Sequence, residues 1–291
     1  MIWFLLVITA VFFIVFETIL EKRTLSEART FGFAAMFAFG NAIISIPFLL
    51  VANFSNINWH ILIVIYIASL FSTVTSLLIF KAMKHSAISE VAPILALLPL
   101  VVSLFAFFIL GEKINIFQLS GLILMVLGIM FLEFKNFEHS SGIFKKGRKR
   151  YLLYIALCLV LGAICSIFDK AILSGLNINS LAYLAIIQIF IAFNYLIFIS
   201  VKPNLFPNFK LDLYKFWKVI LLISFLAVIH RYLYISAIKI TASIGLVVAV
   251  YKLSSLFNVF IGKKFFGEDD ILKKILATII ILGGVFLLVV N

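Results

Sequence analysis

Ten apolar runs of bilayer-crossing length constrain this chain more than any motif. They occupy roughly residues 2–20, 31–51, 60–80, 87–110, 116–134, 151–169, 180–200, 217–236, 242–262 and 271–290. A helix rising 1.5 Å per residue needs about 20 apolar residues to cross a hydrocarbon core of about 30 Å. Inside that core every backbone polar group must be satisfied internally, so runs of this kind become helices. Little chain remains for a soluble domain: 65% of the 291 residues are hydrophobic and 12% charged. The expected fold class is an all-α integral membrane protein with ten transmembrane helices. The first run lacks a basic leading segment and a small-residue cleavage site, so it reads as a retained helix rather than a signal peptide.

The net charge of +12 would suit a nucleic-acid binder, but its distribution does not. Nineteen of the 24 Lys and Arg residues follow odd-numbered runs, whereas only Lys113, Lys170 and Lys239 follow even-numbered ones. Cytoplasmic loops carry the excess of basic residues, which predicts odd loops inside and both termini outside. The basic residues are topology signals and headgroup contacts, not a nucleic-acid patch.

The chain also repeats itself. An offset of 156 places Gly111-Glu112 on Gly267-Glu268, Gly128 on Gly284 and Leu132 on Leu288. Offsets of 148 and 155 place Glu21-Lys22 on Asp169-Lys170, and Ala82 and Lys84 on Ala237 and Lys239. The matches fall in the same order in both halves, giving five-helix units at 1–134 and 151–291 joined by a polar, basic linker at 135–150. Because five is odd, the second unit enters the membrane upside down, making an inverted repeat of the kind found in alternating-access carriers.

An Ala-x-Lys ending to the third run, a proline-containing fourth run, Leu110-Gly111-Glu112 and a Gly-rich fifth run, echoed in the second half, resemble the EamA group of the drug/metabolite transporter superfamily. The resemblance implies movement of a metabolite or drug, often export, through a central cavity between the repeats. This chain departs from the pattern where Ala249 and Ser255 stand opposite Pro93 and Pro99. The family habit also places both termini in the cytoplasm, against the charge distribution, so absolute topology stays open.

Ionisable groups in apolar helices are costly and mark cavities or partners. Lys252, near the centre of the ninth run, offers an amine to a substrate carboxylate or phosphate; the competing reading is a permanent pair with a neighbouring carboxylate. Arg231, beside His230, shares a membrane side with Asp169, so the two are expected either to pair as a gate or to reach the headgroups separately. Glu17, about five residues from the end of the first helix, is the proton-coupling candidate, with interface exposure as its rival. Glu90 reads as a first-turn acid beside a helix N-terminus, or as a second coupling group. Glu17 and Glu90 are expected on the side opposite Asp169 and Arg231. His230 alone reads as a packing histidine before a proton relay. Pro93 and Pro99 free backbone carbonyls in mid-helix, as a hinge or a passive kink. Tyr251, Gln188 and Asn41 complete the substrate-binding candidates, although interhelical hydrogen bonding explains most such groups. Glu112 and Glu268 read as helix-end groups without a chemical role. Cys158 and Cys165 share a helix face and read as small apolar residues.

No H-E-x-x-H, G-x-S-x-G, P-loop or Cys/His metal spacing occurs, so neither enzyme nor cofactor is expected. The reading is a secondary carrier of a small solute with an anionic group, amino-acid-like and exported, in the plasma membrane. Its partners are that solute, lipid and protons, with no nucleic acid, and it works as a monomer or homodimer. A headgroup flippase and an intramembrane envelope-synthesis enzyme are the alternatives.

Overall fold

The computed structural model describes residues 2–85, 95, 97–113, 115–139, 149–201, 206–254, 257 and 271–289. Among them there is no strand, and eleven α-helices account for most of the chain. In order they are α1 (Ile2–Glu27), α2 (Thr30–Ser45), the short α3 (Phe48–Val51), α4 (Trp59–His85) and α5 (Leu98–Phe105). Then follow α6 (Ile116–His139), α7 (Lys149–Lys170), α8 (Ser180–Val201), α9 (Phe206–Ile240), α10 (Ile244–Tyr251) and α11 (Ile271–Val289). Among the described residues six stretches are long and apolar enough to cross a membrane: Ile2–Glu27, Thr30–Val51, Trp59–Ala82, Leu153–Gly175, Ser180–Val201 and Leu213–Ile240. Two shorter apolar helices, Leu98–Leu110 and Ile116–Phe131, accompany them. Leu50, Phe108 and Phe286 stand exposed on the outside of the bundle, as side chains facing lipid would.

Several expected boundaries move. α1 continues to Glu27, so Glu17 lies well inside the helix instead of close to its end. α7 passes Asp169-Lys170 and continues through a wide π turn at Ala171–Gly175, so neither residue ends a helix at the headgroups. Lys170 and Lys239 belong to helices, not to even-numbered loops. Pro99 is the second residue of α5, where the missing N–H costs nothing because a first-turn N–H has no intrahelical acceptor; it is not a mid-helix break. Helix also enters both ends of the 135–150 segment, to His139 and from Lys149. Glu90 and Pro93 lie outside the described residues.

Packing alternates between the halves of the chain. α1 and α2 pack on α9, α4 packs on α7 and α8, α2 on α8, α5 on α7 and α10, and α6 on α11. Glycine sets the closest approach. A Cβ on Gly284 would stand 2.8 Å from the Gly121 carbonyl oxygen and 2.8 Å from the Met125 nitrogen, and one on Gly40 would meet Ser224 Oγ at 2.3 Å. Without a hydrophobic force between helices in lipid, close backbone packing and polar ties hold them together. One tie is Asn194 on α8, which donates to Ser69 Oγ at 3.1 Å and Thr73 Oγ1 at 3.0 Å on α4. Asn194→Leu is expected to cost about 1 kcal/mol, within the measured range for hydrogen bonds between membrane helices; thermal unfolding in detergent would read it.

Candidate functional site

The buried charged groups gather on α9 from both halves of the chain. Arg231 donates from Nη2 to both Asp169 carboxylate oxygens on α7, at 2.8 Å and 3.0 Å. The Tyr183 hydroxyl of α8 donates to the same carboxylate at 2.5 Å. Asp169 is 2% exposed, and such a carboxylate persists as an ion only with its partners in place. One residue before Arg231, His230 Nδ1 lies 2.5 Å from Glu17 Oε2 on α1, and among the described residues neither atom makes a hydrogen bond of regular geometry. The result is one polar row across the seam: Glu17, His230, Arg231, Asp169, Tyr183.

Aromatic rings wall the row. Tyr251 of α10 lies 4.6 Å from Tyr234 and 6.1 Å from His230, centroid to centroid. Arg231 lies 5.6 Å over the Tyr234 ring, close enough for a cation–π contribution. Glu21, one turn beyond Glu17, is also buried and makes no hydrogen bond or ion pair among the described residues.

The expected pair of Asp169 and Arg231 forms, and neither reaches the headgroups independently. Glu17 stands against His230 at the same seam rather than on the side opposite Arg231, because the longer α1 carries it inward. Lys252 is the C-cap of α10, in the turn after Tyr251, not the centre of a helix. There the carbonyl end of the helix favours its charge, and Lys252 has no carboxylate partner among the described residues. The permanent pair proposed as its alternative is therefore not seen among those residues. Asn41 and Gln188 are buried on α2 and α8. Among the described residues Asn41 Oδ1 has no hydrogen-bond partner and Gln188 makes no hydrogen bond.

Sequence reasoning passed over Glu21, Tyr183 and Tyr234, and read His230 as packing. Glu21 carried a signal, since it matches Asp169 at an offset of 148. The tyrosines carried none, because nothing local marks which of the chain's Tyr residues turn towards a carboxylate.

A second polar cluster closes one end of the bundle. Glu112 follows Gly111, whose φ of 67° ends the fourth apolar segment in a left-handed turn. Its carboxylate accepts the Ile244 N–H at 3.0 Å and 3.3 Å, at the start of α10. Burial raises its carboxyl above the ordinary carboxylate range, while the Ile244 N–H and the Ser243 side chain pull it down. Lys170 donates to the Ile238 carbonyl at 3.1 Å and to that of Thr241, and Lys239 donates to the Ile178 carbonyl at 2.9 Å.

Apolar helices enclosing paired charges define an integral membrane protein with ionisable groups inside its spans. Residues 1–134 match the model of the EamA-like transporter family. Over those residues the chain is similar to that family, whose members are membrane transporters of the drug/metabolite superfamily. No curated protein matches the chain. One crystal structure, described only as that of a protein, aligns with a TM-score of 0.71 at 15% identity, over 99% of this chain and 97% of its own. At that identity the likeness is one of fold.

Proposed function

We propose that the chain is a ten-helix secondary carrier, built as two inverted five-helix repeats at 1–134 and 151–291. It moves a small metabolite with an anionic group by alternating access through the seam between them. The observation that carries this reading is the buried polar row meeting on α9, within the fold of a transporter family. Charges are kept inside apolar helices where a path or a coupling site needs them. Lys252, with Tyr251 beside it in the chain, Arg231 on α9, and Gln188 and Asn41 on α8 and α2, which pack on α9, would receive the solute. Glu17 with His230 would hold the coupling proton, and Asp169 with Arg231 would act as the gate.

Packing supports the inverted repeat. Exchanging α1 with α7, α2 with α8, α4 with α9, α5 with α10 and α6 with α11 returns each pair given above to itself or to another of them, except that α5 on α7 becomes α10 on α1, which also pack together. Individual contacts follow the same exchange. A Cβ on Gly128 would meet Ile281 and one on Gly284 would meet Met125, and these are the same two positions exchanged at the 156-residue offset. The Leu-Gly-Glu hinge and the Gly-rich helices fit export by a family whose members move small solutes, and an exporter of this kind would reside in the plasma membrane.

The test is a mass-spectrometric survey of medium from cells overproducing the protein or its Lys252→Ala variant at matched membrane abundance. A solute bearing a carboxylate or phosphate should accumulate outside with the intact protein. It should fall about tenfold with the variant, the worth of one charge-assisted hydrogen bond. Media identical to the empty-vector control would overturn export, and a neutral solute would overturn the anion site.

A further inference from the structure

We propose that Glu112 is a latch, which shuts one end of the bundle by seating its carboxylate on the first N–H of α10. The end in question carries the segments 52–58, 111–113, 176–179 and 241–243. Three observations bear on it.

First, the contact joins the halves. Glu112 belongs to the first half and Ile244 to the second, 132 residues apart. A cap normally comes from the residue just before the helix; here the preceding residue, Ser243, has extended backbone and makes no side-chain cap. The position is left to a carboxylate from across the seam, and a negative charge is the group a helix N-terminus favours. Secondly, Gly111 aims Glu112 there. Its positive φ belongs to a conformation that side chains other than glycine's rarely adopt, and a Cβ there would meet no atom within 4 Å. Backbone conformation, not crowding, therefore explains the glycine. Thirdly, the surrounding groups tie the same end. Lys170, whose charge acts on Glu112, holds the carbonyls at the end of α9, and Ser174 donates to the Lys239 carbonyl at 3.0 Å. Asn56 from the first half donates to the Asn177 carbonyl at 3.2 Å. Glu112 alone in this group joins the halves with a charge, and it sits on α10, the helix that also carries Tyr251 and Lys252. Releasing the latch frees the start of that helix from the first half.

The consequence for transport rests on the carrier reading; the closure does not, and its test needs no solute. In a background with Cys158 and Cys165 replaced by alanine, Thr241→Cys places a thiol behind the latch, where Thr241 is 6% exposed. Exposed Ser55→Cys and Ser26→Cys report which face of a sealed vesicle is which. The probe is a membrane-impermeant maleimide applied to one face. From the face that labels Ser55→Cys, Glu112→Ala should speed labelling of Thr241→Cys about tenfold, the factor expected for one charged hydrogen bond. Labelling of Ser55→Cys should not change. Glu112→Gln, which keeps volume and an acceptor oxygen but loses the charge, should fall between parent and alanine, and it carries the test if the alanine variant does not fold. Unchanged Thr241→Cys labelling, even with lowered thermal stability, would reduce Glu112 to a local cap and overturn the latch. Equal acceleration from both faces would show general loosening and overturn it as well.

Discussion

Arg231→Met is expected to destabilise the protein by about 3 kcal/mol, the lower end of the cost of leaving one member of a buried pair behind. Asp169 would remain at 2% exposure with only the Tyr183 hydroxyl as partner. Arg231 itself keeps 26% of its side chain accessible, so solvent near it softens the loss. Asp169→Leu with Arg231→Met and Tyr183→Phe should recover most of that stability, since no buried charge or hydroxyl is then left alone. Denaturation in detergent, followed by circular dichroism, would measure both. If the single and triple variants unfold alike, the pair contributes nothing to the fold.

Gly284→Ala should cost about 2–3 kcal/mol, at the upper end for overpacking, because its methyl group would press on backbone. The Gly121 carbonyl oxygen and the Met125 nitrogen would both lie at 2.8 Å, and only separation of α6 from α11 relieves that. Gly283→Ala is the internal control. Its Cβ would meet Leu124 Cδ2 at 3.6 Å, an ordinary contact, so it should be neutral or gain up to about 1 kcal/mol from helix propensity. Equal thermal stability of the two variants would show that α6 and α11 do not depend on this approach.

Much of the fold was legible because its cause is local. Apolar run length specifies a spanning helix without reference to any partner, and each described helix lies on or within an expected run, with extensions beyond several. The extensions are instructive. Glu21, Asp169 and Lys170 look like the polar punctuation at which a membrane helix ends. They are instead interior residues; for Asp169 and Lys170 other helices supply Arg231, Tyr183 and the carbonyls at the end of α9, and a charge that finds such partners need not leave the bundle. Pro99 misled in the opposite way. Proline signals a break in mid-helix, but at the second position of a helix it breaks nothing. The pairing of Asp169 with Arg231 was open to anticipation, since helix direction puts both on one side. The contact of Glu17 with His230 was not, because it depends on how far α1 runs before it turns.

By itself, the sequence determined the membrane-helical class, the order of the described helices, the offset matches between the halves and the resemblance to a transporter family. Run length, glycine spacing and recurrence act along the chain and need no partner. Only the tertiary structure decided which charges meet. It put Glu17 on His230, Asp169 between Arg231 and Tyr183, and Glu112 on the first N–H of α10. Each contact joins residues more than ten positions apart, most on different helices. The rotation and depth of one helix against another come from packing at residues such as Gly40, Gly128 and Gly284, and the site follows from that packing.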